Sequence, residues 1–126
     1  MLADVKDVVE AASPKPVKVI IETSLLSSPQ EIAISSLIAC LGGAKFVKTS
    51  TGYGGGGAKP EDVRLMYEVA RKYNVEVKAS GGIRSLETVK TMIANGATRV
   101  GASGTAQIIA EAQGNAPAAG GSGSAY

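Results

Sequence analysis

The sequence predicts an α/β fold built of parallel βα units, and three observations carry that reading. Short β-branched runs alternate with stretches of helical periodicity, the connections between them are short, and Lys18, Lys48 and Lys78 recur at intervals of 30 residues. That interval is about what one strand plus one helix occupies, so the lysines are expected at comparable places on neighbouring strands. Strands that alternate with helices pair in parallel, because each return to the same direction needs a crossover.

The elements follow in order. About Leu2 to Ala12, the residues Val5, Val8, Val9 and Ala12 share one helical face, and Ser13-Pro14-Lys15-Pro16 ends the helix. Val17 to Glu22 is a β-branched run of strand length. Ser28-Pro29 with Glu31 starts a helix that runs to about Leu41 and stops at Gly42-Gly43. A strand at about Lys45 to Thr49 leads into a glycine-rich loop, then a helix from Pro60 with Val63, Met66, Ala70 and Tyr73 on one stripe. A third strand is expected at about Val75 to Ala79. Ser85 caps the next helix, with Leu86, Val89 and Ile93 inward and Gly96 after it. A fourth strand, about Thr98 to Gly101, precedes a last helix from about Thr105 to Gln113. Residues 1–113 therefore form one ordered domain, and Gly114 to Tyr126, almost entirely Gly, Ala, Ser and Pro, is expected to be a mobile tail.

Composition narrows the functional classes. Of 126 residues, 44% are hydrophobic and 19% charged, as in a soluble domain with one core. No apolar run approaches the roughly 18 to 20 residues that span a bilayer, and the start has acids and no signal-peptide core, so a cytoplasmic location and no membrane partner are expected. A net charge of +2, with the basic residues spread along the chain, argues against a nucleic-acid partner. The single cysteine, Cys40, lies in an apolar run and reads as a small buried residue. With no histidine in the chain, Ser-His triads and most zinc sites are excluded.

The chemistry collects on one face. Along the strands one alternate set is apolar, namely Val17, Val19 and Ile21, then Val47, then Val75, Val77 and Ala79, then Val100 and Ala102. The other set is polar and brings together Lys18 and Glu22, Lys48 and Ser50, Glu76, Lys78 and Ser80, and Arg99. In a βα barrel the second set lines the interior, where reactive groups cluster at the carboxyl ends of strands; in an open sheet it would simply be solvated. An amine surrounded by amines is pushed toward its neutral, nucleophilic form, which attacks a carbonyl carbon to make a Schiff base. Gly52-Tyr53-Gly54-Gly55-Gly56-Gly57, Ser80-Gly81-Gly82-Ile83-Arg84 and Gly101-Ala102-Ser103-Gly104 all fall after strands. Small residues there let backbone N–H groups approach an anion, and a helix N-terminus adds positive potential, which favours a phosphate site.

The segments Val17-Lys18-Val19-Ile20-Ile21-Glu22-Thr23, Phe46-Val47-Lys48-Thr49-Ser50-Thr51-Gly52, Val77-Lys78-Ala79-Ser80-Gly81-Gly82-Ile83-Arg84 and Arg99-Val100-Gly101-Ala102-Ser103 closely resemble the deoxyribose-phosphate aldolase family, in order and spacing, from about Leu2 to Gln113. The resemblance implies half of a (β/α)₈ barrel. It also implies a class I aldolase that cleaves 2-deoxy-D-ribose 5-phosphate to glyceraldehyde 3-phosphate and acetaldehyde without a metal or other cofactor. By motif, Lys48 forms the Schiff base, and Lys78 is the second lysine, which depresses the pKa of Lys48 and takes part in proton transfer. Gly81, Gly82, Gly101 and Ser103 match the phosphate-binding loops, Lys18 a lysine near the site, and Tyr126 a terminal tyrosine that assists proton transfer in some members.

Two departures from the family stand out. The chain resembles the second half of the barrel, so strands one to four, with the strand-four aspartate that serves as proton-relay partner, have no counterpart; Glu22 and Glu76 share the inward parity but match no motif for that role. Ala58-Lys59-Pro60 stands where the family commonly has a threonine capping the helix. Four units leave two open sheet edges, so either two copies pair into a closed barrel or one copy binds a chain carrying the first four strands. The symmetric pair is the simpler expectation. The alternative function is a half-barrel that binds sugar phosphates, or assembles with a partner, without turnover.

Overall fold

The computed structural model describes residues 1–115. Helix α1 (Leu2–Ala12) precedes a four-stranded parallel sheet, β1 (Lys18–Ile20), β2 (Phe46–Lys48), β3 (Glu76–Ser80) and β4 (Ala97–Gly101), in that spatial order. Helices α2 (Pro29–Leu41), α3 (Pro60–Ala70), α4 (Leu86–Ala94) and α5 (Thr105–Ala112) follow the successive strands. The expected tail from residue 116 onward, Tyr126 included, lies outside the described residues.

Alternation along the strands builds the core. Val47, Val77 and Ala79 point to the helices and are buried with Ile32 and Ala39 of α2, Val63 and Met66 of α3, and Met92 of α4. Burial of one such side chain contributes about 1.5–3 kcal/mol. Val19, Ile21, Val100 and Ala102 pack against the same cluster from the outer strands. Helix α1 contributes no buried residue and lies against α2.

Helix starts follow their capping chemistry. Ser28 Oγ accepts from the Glu31 N–H at 3.3 Å while the Ser27 N–H donates to the Glu31 carboxylate at 2.6 Å. Ser85 Oγ likewise accepts from the Thr88 N–H at 3.2 Å. Each bond satisfies a backbone donor that the helix itself leaves free. Lys59 stands at the N-cap of α3 and makes no capping bond.

Four details depart from the sequence expectation. The regular strands β1 and β2 are shorter than expected, although hydrogen bonds continue past β1, from the Ile21 N–H to Lys48 O and from the Thr23 N–H to Thr49 O. Between those bonds Glu22 takes a left-handed conformation (φ 51°, ψ 65°) that breaks the strand and opens a 3₁₀ turn at Thr23–Leu25. Tyr73 and Ile93 are exposed instead of inward, since a 3₁₀ turn at Arg71–Tyr73 rotates Tyr73 off the α3 stripe, and on α4 Met92 takes the inward place. The inner face is not wholly polar: Phe46 is buried there apart from the helix-side core, and Ile20 is half exposed.

Lys59→Thr should stabilise the fold by about 0.5–1 kcal/mol, because Lys59 already has the extended backbone of a cap (φ −112°, ψ 140°) and lacks only the acceptor. The shift is readable as a higher urea midpoint at unchanged slope.

Candidate active site

Pairing between β2 and β3 sets Lys48 opposite Lys78, with Arg99 beside Lys78 on β4. Lys18 is placed differently from expectation. Its register partner is Phe46, two residues short of Lys48 toward the amino ends of the strands, because β1 is displaced by two residues relative to the 30-residue repeat. Its ammonium lies 5.5 Å from the centroid of the Phe46 ring, and the Arg99 guanidinium lies 4.7 Å from the same ring. The aromatic face thus holds two cations beneath the lysine pair.

Lys78 is the amine whose charged form this arrangement disfavours. Partial burial comes first, then the Lys18 ammonium and the Arg99 guanidinium, and together they pull its pKa below the ordinary lysine value. Lys78 also lies against β4: a Cβ at Gly101 would stand 3.2 Å from its Cε and 3.6 Å from its Nζ. A side chain there would push Ser80 and the end of Lys78 aside by a few tenths of an ångström, which glycine avoids.

At the carboxyl ends of the strands Lys48 and Lys78 line a cleft of about 230 Å³ with Thr51, Ser80, Gly81, Gly82, Arg84, Gly101 and Ser103. The sheet brings together six of the expected site residues: Lys48, Lys78, Gly81, Gly82, Gly101 and Ser103. It leaves Lys18 one level below, and Tyr126 is outside the described residues. Sequence reasoning missed Thr51 and Arg84 as lining residues, although both stand inside the motifs that pointed to the site.

Fixed polar contacts hold the cleft's floor. Thr49 Oγ1 donates to Ser80 O at 3.0 Å and accepts from the Ser80 N–H at 3.1 Å, and Ser80 Oγ donates to Ser50 O at 2.7 Å. All three residues are buried, where such bonds tie β2 to β3 just beyond the lysines. A wider depression of about 450 Å³, lined by Gly52, Tyr53 and Gly55 to Gly57, adjoins the cleft and shares Gly81 and Gly82 with it. Among the described residues, no group of His, Cys, Asp and Glu is arranged to hold a metal ion, and no helix is long and apolar enough to cross a membrane.

The fold is that of the βα-barrel class, present here as about half a barrel. The chain belongs to the DeoC/LacD family of aldolases, whose family profile matches residues 1–114. It is 58% identical over 106 residues to a deoxyribose-phosphate aldolase of Staphylococcus haemolyticus, an alignment that covers 84% of this chain and 47% of the relative. The corresponding enzyme of Clostridium botulinum (strain Kyoto / Type A2) is 50% identical over 106 residues, covering 84% of this chain and 49% of that one. Among solved structures, the tetrameric deoxyribose phosphate aldolase of Aeropyrum pernix superposes with a TM-score of 0.81 at 30% identity, over 89% of this chain and 48% of that chain. The chain spans about half the length of the curated relatives it matches.

Lys78 has a stability consequence with a definite sign. With its folded-state pKa below the unfolded value, the unfolded chain binds more protons between the two values, so stability rises with pH across that window and is lost again as the pH falls through the folded pKa. Lys78→Met should accordingly raise the urea midpoint at neutral pH, and the gain should shrink as the pH approaches the ordinary lysine pKa. Parallel denaturation of parent and variant across that range measures it.

Proposed function

We propose that this chain carries the imine-forming part of a deoxyribose-phosphate aldolase, cleaving 2-deoxy-D-ribose 5-phosphate to glyceraldehyde 3-phosphate and acetaldehyde. One observation carries the reading: Lys48 and Lys78 face each other across adjacent parallel strands and open on the same cleft as the Gly81-Gly82 and Gly101 to Ser103 loops. An amine pair beside an amide-rich anion site suits an aldehyde that also bears a phosphate.

In this reading the neutral Lys48 amine adds to C1 of the open-chain sugar and water leaves, giving a protonated imine. The C2–C3 bond then breaks, its electron pair moving into the imine to form an enamine, while the C3 hydroxyl gives up its proton and becomes the aldehyde of glyceraldehyde 3-phosphate. Protonation of the enamine at C2 and hydrolysis release acetaldehyde and restore the amine. The imine is the electron sink, so the chemistry calls for no metal or other cofactor. Lys78, whose ammonium is disfavoured, is suited to exchange protons beside the reacting carbons. Backbone N–H groups of Gly81, Gly82, Gly101 and Ser103, with the Arg84 guanidinium and the start of α5, supply donors and positive potential for the phosphate.

Borohydride reduction in the presence of acetaldehyde tests the nucleophile. The parent chain should gain one ethyl group on Lys48, Lys48→Ala should lose that adduct, and Lys78→Leu should form it more slowly at neutral pH. An unmodified parent chain, or an adduct undiminished in Lys48→Ala, would overturn the assignment and favour a half-barrel that binds without turnover.

Association belongs to the same reading. Among the described strands β1 and β4 each have one unpaired edge, and nothing described covers the inner face. A second copy, or a chain carrying further strands of the barrel, would satisfy both edges. Sedimentation of the isolated chain should give a species larger than a monomer. Its steady-state turnover should fall below that of a full-length relative, since no residue here matches the family's strand-four aspartate and a general acid–base group is worth about 10²–10⁴-fold.

A further inference from the structure

We propose that Glu22 is a positioning residue, which through Thr51 holds the glycine loop 52–57 in place and so sets the affinity of the phosphate end of the site. The proposal rests on the functional reading above and gives a role to a residue for which the motifs supplied none.

Four observations carry it. Glu22 is one of two non-glycine residues with positive φ among those described; the other, Asn74, is of a type that takes this conformation readily, whereas glutamate is not. That unusual backbone turns the Glu22 side chain across to the end of β2, where its two carboxylate oxygens accept from the Thr51 N–H at 3.1 and 3.2 Å and from the Thr51 hydroxyl. Thr51 Oγ1 in turn accepts from the Tyr53 N–H at 3.1 Å, so the contact is passed into the glycine loop. Finally, the loop is closely packed at three of its glycines: a Cβ at Gly54 would stand 2.9 Å from the Glu22 carboxyl carbon, one at Gly56 would overlap Ser24, and one at Gly57 would overlap the Gly81 carbonyl.

The geometry gives Glu22 leverage on the phosphate end of the site. Thr51 lines the cleft three residues beyond Lys48, and the loop it anchors ends against Gly81, where the Ala58 N–H donates to Gly81 O at 3.1 Å. Releasing the loop frees the segment that fixes the Gly81-Gly82 amides. Lys48 itself is held by the ladder between β1, β2 and β3, which does not pass through Glu22's side chain.

Charge and positioning predict opposite signs, which makes the test sharp. Removing a carboxylate near an anion site should tighten phosphate binding by Coulomb's law alone, whereas loss of the anchor should weaken it. Inorganic phosphate titrated into the full chain and followed at the Gly81, Gly82 and Gly101 amides should bind Glu22→Ala about tenfold or more weakly than the parent. Glu22→Gln, which keeps an acceptor for the Thr51 N–H, should lose less than about threefold. Reductive trapping of acetaldehyde on Lys48 should suffer at most a fifth of the loss seen for phosphate. Hydrogen exchange should show the Thr51 and Tyr53 amides deprotected in Glu22→Ala and the strand amides of Val47 and Val77 unchanged.

Tighter phosphate binding, equal losses of phosphate and imine, or unaltered protection at Thr51 and Tyr53 would each overturn the proposal while leaving the aldolase reading standing. A parent chain that neither traps acetaldehyde nor responds to phosphate would refute the functional reading, and the proposed effect on the phosphate site with it.

Discussion

The pairing of β2 with β3 is the constraint on which the rest of the molecule depends. Register sets Val47 beside Val77 and Lys48 beside Lys78, and strand alternation then sends the first pair to the helices and the second to the opposite face. The valines are fully buried among Val63, Met66 and Met92, so a one-residue slip of either strand would bury that strand's lysine and expose its valine. Core packing therefore enforces the juxtaposition of the amines.

Around that pair the inner face is organised by charge. Lys18, Lys78 and Arg99 lie within mutual influence, and Phe46 holds Lys18 and Arg99 against its ring. An aromatic ring on an otherwise polar face makes sense as an apolar floor with a negative π surface that tolerates cations on it. The outcome is an amine at Lys78 with weakened hold on its proton, beside a lysine on the next strand. The proposed imine chemistry would use such a pairing, one lysine as nucleophile and its neighbour exchanging protons.

The loops are connected to one another as well as to the strands. Glu22 after β1 bonds Thr51 after β2, the glycine segment after β2 rests on Gly81 after β3, and Gly101 of β4 touches Lys78 of β3. Each strand's carboxyl end is thus tied to its neighbour's. At the Gly57–Gly81 crossing glycine is required because backbone meets backbone at a distance where a Cβ has no room.

Much of this was legible in the chain itself. Parallel βα order, the helix starts at Ser28 and Ser85, the two-faced strands, and the grouping of Lys48, Lys78 and the glycine loops all follow from short-range patterns whose physics is local: capping, periodicity and turn chemistry. The resemblance to an aldolase family, carried by four motifs, agrees with the family match and the relatives. What only the tertiary structure decided depends on register and on distant groups. A period of 30 residues could not reveal that Lys18 pairs with Phe46, since register is set by packing across strands and not by spacing along the chain. Nor could parity reveal that Glu22 turns left-handed to reach Thr51, 29 residues away, or that Arg99 and Lys18 share one aromatic ring. Those contacts exist because folding brings remote residues within a few ångströms, and no local preference encodes them.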